Sequence, residues 1–105
     1  IVNCPLAPGS GSEAFRAAIT QHWLPALEQF APQMIFISAG FDGHAADDLA
    51  ELRLATADYG WVTDRACEVA ARHANNRIVS TLEGGYELSA LAASAVAHID
   101  RLMAD

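Results

Sequence analysis

The sequence contains no lysine and only two cysteines, and these absences exclude several classes of protein. Its charge comes from 6 arginines against 13 acidic residues, which leaves a net charge of −7. Such a chain has no basic surface to follow a phosphate backbone, so we expect no direct nucleic-acid partner. Cys4 and Cys67 lie far apart and form no Cys-x-x-Cys, so neither a structural zinc site nor a disulfide framework is indicated. Both are predicted to be buried.

Several familiar signals are also missing. No apolar run approaches the roughly 18 residues of a membrane helix, and no basic stretch precedes an apolar one, so a soluble, cytoplasmic protein is the default expectation. Gly84-Gly85 lacks the remaining glycines and the lysine of a phosphate-binding loop, which makes that function only weakly indicated. Ser38 lies outside any Gly-x-Ser-x-Gly, so a Ser-His-Asp hydrolase is unsupported.

The length and composition fit one α/β unit. The 105 residues make one domain at most, and a 52% apolar composition is enough for a core. Apolar segments at 1–6, 34–39 and 77–82 predict strands, with helical patterns after each, in the order β-α-β-α-β-α. This order predicts a parallel sheet with helices on its faces. Three strands are few, and the chain starts at Ile1, so we expect a piece of a larger protein.

The two later strands have nearly continuous apolar residues, which is typical of strands buried on both faces. Ile35 and Leu82 are therefore predicted to be core residues. Open strand edges and exposed apolar surface favour self-association, so we expect a homo-oligomer.

Sequence signals also predict the helix ends and inner faces. Ser12 is a candidate N-cap, Pro25 should kink the first helix or restart it, and Thr56 is a candidate cap for the second helix. The last helix is predicted to begin near Ser89. Its inner face is predicted to contain Leu88, Leu91, Ala95, Ile99 and Leu102. His22, His73 and His98 are predicted to lie at the surface or at its boundary with the core, and no catalytic or binding role is assigned to them.

Two loops that follow strands contain the candidate site. In parallel sheets, ligands bind beyond the carboxyl ends of the strands, and adjacent strands lie about 4.8 Å apart. Asp42 follows one strand, and its carboxylate either caps the loop or binds a metal ion. Tyr86 follows the other, and its hydroxyl either packs under the loop or donates to a carbonyl oxygen that gains charge. Gly84 and Gly85 allow positive φ and close approach of a ligand.

The loop at 40–54 is long for a β-α connection, and such loops often have a function. Its acids Asp42, Asp47, Asp48 and Glu51 either form a solvated loop or a rim that attracts cationic substrates. His44 is either solvated or pairs with Asp42 as a metal ligand.

These motifs resemble those of a known family. The segments Ser-Ala-Gly-Phe-Asp-Gly-His (38–44) and Leu-Glu-Gly-Gly-Tyr (82–86) are similar to the histone deacetylase superfamily, as are Asp-Asp-Leu (47–49), Cys-Pro-Leu (4–6) and Leu-Pro-Ala-Leu (24–27). Bacterial members include acetylpolyamine amidohydrolases and acetoin-utilisation-type proteins. The resemblance implies an arginase/deacetylase α/β fold and zinc-dependent hydrolysis of acetyl-amide bonds in an acetylated amine or lysine.

The resemblance also implies residue roles. Asp42 matches the last zinc ligand, and Tyr86 matches the tyrosine that polarises the acetyl carbonyl. Gly84, Gly85 and Phe41 match positions beside the substrate channel, whereas His44 matches no ligand. The other ligands and the paired histidines of the family would lie before Ile1. We therefore expect the C-terminal portion of a deacetylase domain, inactive alone; the alternative is a non-catalytic binding or assembly module derived from that fold.

Overall fold

The computed structural model describes residues 1–104, which form five helical segments and two strands. The first helical region contains Ser12–Ala18 (α1), a π-helical turn at Ile19–Trp23, and Leu24–Phe30 (α2). It is followed by Ile35–Ala39 (β1), Thr56–His73 (α3), Ile78–Leu82 (β2) and Leu88–Met103 (α4).

The two strands are parallel neighbours. Their register pairs Ile35 with Ile78 and continues to Ala39 with Leu82. Helix α3 makes the crossover between them, as parallel pairing requires. The predicted β-α-β unit and the α/β class are therefore confirmed, and both carboxyl ends lie at one edge of the sheet.

The predicted first strand at 1–6 is wrong. Within the described residues β1 and β2 pair only with each other, so this segment has no neighbour to share backbone hydrogen bonds with. Ile1 is fully exposed, and Pro5 has no N–H to donate to a ladder. The segment instead runs beside α1 and the π-helical turn, where it borders a shallow groove of about 380 Å³.

The sheet is covered by helices on one face only among the described residues. Along β1 exposure alternates, and Phe36 is 73% exposed whereas Ala39 is 8% exposed. The prediction that these strands are buried on both faces is therefore wrong. Leu82 is 62% exposed, so it is not a core residue, and Ile35 is only partly buried. Self-association stays a prediction, and the exposed face of the sheet is the surface available for it.

The core lies under the carboxyl edge of the sheet. Ala39, Phe41, Leu54 and Tyr59 form its buried cluster, and partly buried apolar residues pack around it: Phe15, Ile37, Leu91 and Ala95. The predicted site loops therefore rest directly on this buried cluster.

Helix α4 begins one residue before the predicted position, and its inner face agrees with the prediction only in part. Its buried residues are Ala90, Ser94 and His98, whereas Leu88 is 76% and Ile99 is 49% exposed. Small side chains let α3 and α4 approach closely, and His98 finds hydrogen-bond partners there, so the face with Ala90, Ser94 and His98 is the most buried one. Of the predicted inner-face residues, Leu91 and Ala95 pack against the core, and Leu102 is partly buried.

The break expected at Pro25 is confirmed, because α2 begins at Leu24 with Pro25 in its first turn, directly after the π-helical turn. Ser12 and Thr56 are not N-caps, since Gly11 and Ala55 hold those positions. The Ser12 hydroxyl instead donates to the fully buried Asp58 carboxylate, which also accepts from Ala55 N at 2.8 Å.

Arg16 Nε donates to the other Asp58 oxygen at 2.8 Å. Helix α1 is thereby fixed to the start of α3.

Cys4 and Cys67 are free and only partly buried, so their predicted burial is wrong. Between residues 1 and 104, no helix has the length and apolar character needed to cross a membrane.

Candidate functional site

The loops after β1 and β2 continue the strand pairing beyond the strands themselves. Glu83 N donates to Ala39 O at 2.9 Å, and Phe41 N donates to Gly84 O at 2.8 Å. These two hydrogen bonds hold the chain before Asp42 against the chain before Tyr86. The structure thus brings the two predicted loops together at one edge.

Asp42 contacts Gly84 across this junction. A Cβ atom built on Gly84 would lie 2.8 Å from Asp42 Oδ1, and one on Gly40 would lie 3.1 Å from the same oxygen. Real Cβ atoms do not approach an oxygen so closely, so glycine at position 84 is what allows the carboxylate to lie there. Asp42 is half-buried, with part of its surface open to solvent.

Gly85 turns the chain from this contact toward Tyr86. Its φ is +138°, and a Cβ there would lie 2.8 Å from Leu91 Cδ1. The positive φ expected in this loop is therefore observed at Gly85. Tyr86 follows with 63% of its surface exposed, which leaves its side chain accessible at the rim of the site rather than packed under the loop.

Asp47, not Asp42, accepts the backbone hydrogen bonds of this region. Its Oδ2 accepts from Tyr86 N at 2.7 Å and Glu87 N at 3.1 Å, and its Oδ1 accepts from Leu49 N at 3.0 Å. The N–H of Leu49, followed by that of Tyr86, holds the pKa of Asp47 below its usual range. Asp47 is 4% exposed.

Neither prediction for the acidic loop, full solvation or an exposed rim, describes all of its acids. Asp47 faces inward, whereas Asp48 and Glu51 are exposed. Sequence reasoning missed the function of Asp47. The available signal was the start of α4, whose first N–H groups need an acceptor from outside the helix.

His44 does not form a metal pair with Asp42. Its Nδ1 accepts from Ala46 N at 3.0 Å, and its Nε2 lies 3.2 Å from Thr56 Oγ1. Both ring nitrogens are thus engaged with the loop and with the first residue of α3, so His44 is not merely solvated either.

The Phe41 ring lies in the core, not beside an open channel. It is 4% exposed and packs on Tyr59, at 5.1 Å between ring centroids, and on the edge of His98, at 5.8 Å. Its backbone N–H, rather than its ring, contacts the Gly84 loop. The expected channel position is therefore corrected to a supporting one, because an apolar ring next to the strand end is stabilised by burial.

Tyr59 lies below the same loop, and its hydroxyl is close to the Gly43 backbone. Burial, with the Asp42 charge as the next cause, raises the pKa of Tyr59 to about 12. Tyr59 is therefore protonated at neutral pH.

His98 is buried next to the Phe41 ring, whereas the sequence predicted a surface or boundary position. It is 7% exposed, its Nε2 lies 2.7 Å from Ser80 Oγ, and its Nδ1 lies 2.8 Å from Thr63 Oγ1. Burial lowers its pKa. A spacing of four residues from Ser94 and Ala90, both small, was the signal that this face of α4 packs inward.

The side chains of His, Cys, Asp and Glu are the ones that could bind a metal ion. Among residues 1–104, no group of three or more His, Cys, Asp or Glu side chains is arranged to hold one. A catalytic zinc needs about three protein ligands, and Asp42 offers one accessible carboxylate at this edge. The described residues alone therefore do not fit a complete zinc site.

Comparison with known proteins shows the family to which this chain belongs. The family model for the histone deacetylase domain matches residues 1–102. The chain belongs to the histone deacetylase family. It is 42% identical over 85 residues to the histone deacetylase-like amidohydrolase of Pseudomonas aeruginosa, a match that covers 81% of this chain and 22% of that protein.

A probable deacetylase of Archaeoglobus fulgidus is 40% identical over 87 residues, covering 83% of this chain and 24% of that protein. Among solved structures, the HDA15 HD domain superposes with a TM-score of 0.81 at 31% identity, over 92% of this chain and 26% of that one. The family and fold expected from the motifs are confirmed. The chain spans about a quarter or less of the length of these relatives.

Proposed function

We propose that this chain forms the part of a zinc-dependent deacetylase that contributes Asp42 and Tyr86 to the active site. The acetyl-amide bond of an acetylated amine or lysine is the proposed substrate. The activity belongs to a longer protein that contains this chain, because the residues described here supply one metal ligand.

The observation that supports this proposal is the contact between Asp42 and Gly84 at the carboxyl edge of the sheet. Two loops from separate strands meet there, and a glycine makes room for the carboxylate. The carboxyl edge of a parallel sheet is where ligands bind. In a chain of the histone deacetylase family, this is the arrangement that a metal ligand next to a substrate loop requires.

Tyr86 provides the second proposed group. Its hydroxyl is on an exposed side chain, so it is free to contact a substrate. We propose that the substrate carbonyl binds between this hydroxyl and Asp42. A phenolic O–H stabilises the negative charge that develops on that oxygen by donating a hydrogen bond. Gly84 and Gly85 link the Asp42 contact to Tyr86 and are proposed to lie beside the bound acyl group, and Phe41 packs against Gly85.

Zinc, when bound, supplies Lewis acidity and activates water. Asp42 is the one ligand that this chain contributes to it in the proposal. The remaining ligands are proposed to come from other parts of the longer protein.

Metal content and turnover of the longer protein test this assignment. We expect hydrolysis of an acetyl-lysine peptide or of an N-acetylpolyamine, with one zinc per active site by elemental analysis. Asp42→Asn should lower zinc content and activity together, because the amide is a weaker ligand than the carboxylate. Asp48→Asn is the matched control, since Asp48 is an exposed acid of the same loop, and it should retain both.

Two results would count against the proposal. Full zinc occupancy in Asp42→Asn would remove Asp42 from the ligand set. A well-folded longer protein that hydrolyses neither substrate would favour a non-catalytic binding or assembly module instead.

A further inference from the structure

Asp47 is the buried acid that connects the loop after β1 to the loop after β2. Its Oδ2 accepts from two consecutive backbone amides, Tyr86 N at 2.7 Å and Glu87 N at 3.1 Å. Its other oxygen accepts from Leu49 N at 3.0 Å, within its own loop. One side chain thus fixes the backbone at Tyr86 from 39 residues away.

The backbone before Tyr86 needs such a constraint. Gly84 and Gly85 precede it, and glycine restricts backbone torsions less than any other residue. Phe41 N holds Gly84 O, but Gly85 itself has a φ of +138° that only glycine readily adopts. Without Asp47, the direction in which the chain leaves Gly85 would be set chiefly by the start of α4.

The same carboxylate also stabilises that helix start. Glu87 is the N-cap of α4, and its own side chain accepts from Ala90 N at 2.7 Å. Asp47 accepts from the Glu87 N–H, one step outside the helix. The amides of Tyr86 and Glu87 therefore share one buried anionic acceptor, and charge-assisted hydrogen bonds of this kind are stronger than neutral ones.

We propose that Asp47 is a positioning residue that fixes Tyr86 relative to Asp42. This rests on the proposed function, in which the Tyr86 hydroxyl donates to the substrate carbonyl. Asp47 itself does not touch substrate. It acts by holding the Tyr86 backbone, so that the hydroxyl stays where charge develops, and small displacements of such a donor are costly to turnover.

The first arm of the test uses the 105-residue chain and amide hydrogen exchange by NMR. In Asp47→Asn, one oxygen remains and the negative charge is lost, so the amides of Tyr86 and Glu87 should exchange about tenfold faster. Amides of β1 and β2 should keep their rates. Asp48→Asn, which changes the neighbouring exposed acid in the same way, should leave Tyr86 and Glu87 unchanged.

The second arm uses turnover and zinc content of the longer protein in a double-mutant cycle. Asp47→Asn should lower kcat about tenfold with zinc content unchanged. In a Tyr86→Phe background it should lower kcat no further, because the group it positions is already gone. A merely structural role would reduce zinc content and kcat by one common factor in both backgrounds.

The outcomes separate this inference from the proposed function. An equal loss of kcat from Asp47→Asn in both backgrounds would overturn the positioning role, as would unchanged exchange at Tyr86. A longer protein without turnover would refute the deacetylase assignment, and the exchange rates would then alone decide whether Asp47 fixes Tyr86.

Discussion

His98 should make the stability of this chain fall as the pH drops below the ordinary histidine pKa of 6.5. Thr63 Oγ1 lies 2.6 Å from Tyr59 O and donates its single proton there, so it must accept from His98 Nδ1–H at 2.8 Å. His98 Nε2 then accepts from Ser80 Oγ at 2.7 Å. Both nitrogens of the neutral His98 ring thus have a hydrogen-bond partner. A proton on Nε2 would occupy the lone pair that accepts from the Ser80 hydroxyl and so break that hydrogen bond.

The direction of this pH dependence follows from the burial of His98. Burial lowers the pKa of His98 below the ordinary value of 6.5, so the unfolded chain takes up a proton that the folded chain refuses. Stability is therefore fully present above pH 6.5 and is lost as pH falls below it. The free energy of unfolding should therefore be lower at pH 5.5 than at pH 7.5.

Urea unfolding followed by far-ultraviolet circular dichroism at a series of pH values measures this. His98→Gln removes the titrating ring, so its free energy of unfolding should change less between pH 7.5 and 5.5 than that of the unmodified chain. The variant should also be less stable at pH 7.5, by about 1–3 kcal/mol, because a buried hydroxyl loses its partner. His22→Gln, at an exposed histidine, should keep the pH dependence of the unmodified chain.

Identical pH dependence in His98→Gln and in the unmodified chain would refute the reasoning. It would mean that His98 titrates alike in the folded and unfolded states, which is incompatible with a buried neutral ring held between Thr63 and Ser80.

Other predictions concern glycines and burial. Gly60→Ala should raise stability by roughly 0.5–1 kcal/mol in urea unfolding, because Gly60 is inside α3 and a Cβ there would meet its nearest atom at 3.8 Å. Gly84→Ala should instead displace the Asp42 carboxylate, so the longer protein should lose zinc in elemental analysis. Val69→Ala, at 0% exposure, should cost about 2 kcal/mol. Leu82→Ala, at 62% exposure, should change the free energy of unfolding by less than about 0.5 kcal/mol, and a larger loss would show that Leu82 is buried in solution.

The sequence predicted the parts of the fold that local patterns determine. The apolar runs at β1 and β2, the helical period between them and the glycines after them were enough for a parallel pair with its carboxyl edge at Asp42 and Gly84. Pro25 marked the break in the first helical region, because it cannot donate the backbone hydrogen bond of a continuing helix.

The errors arise where tertiary neighbours decide. The segment at 1–6 is as apolar as a strand, but a strand exists only beside a partner, and local composition does not specify one. Leu82 has the side chain of a core residue, yet it is the last residue of β2 in the two-stranded sheet of the described residues, and 62% of its surface stays exposed. In α4, His98 is buried because it gains two hydrogen bonds on the inward face, and hydrophobicity does not count those bonds.

Asp47 illustrates the same limit at the candidate site. Four acids in one loop look alike in sequence, and Asp42 was singled out by its place after a strand. Only the fold shows that Asp47 faces the amides of Tyr86 and Glu87, which are about 40 residues further along the chain.

The most direct test of the account is Tyr86→Phe in the proposed longer protein, with zinc content and kcat measured on the same preparation. The substitution removes one exposed hydroxyl and leaves the backbone bonds to Asp47 intact. We expect zinc to stay bound and kcat to fall by about 10²–10³, as is typical of losing one donor to a developing oxyanion. An unchanged kcat in a fully zinc-loaded Tyr86→Phe protein would contradict the claim that this edge of the sheet supplies the donor.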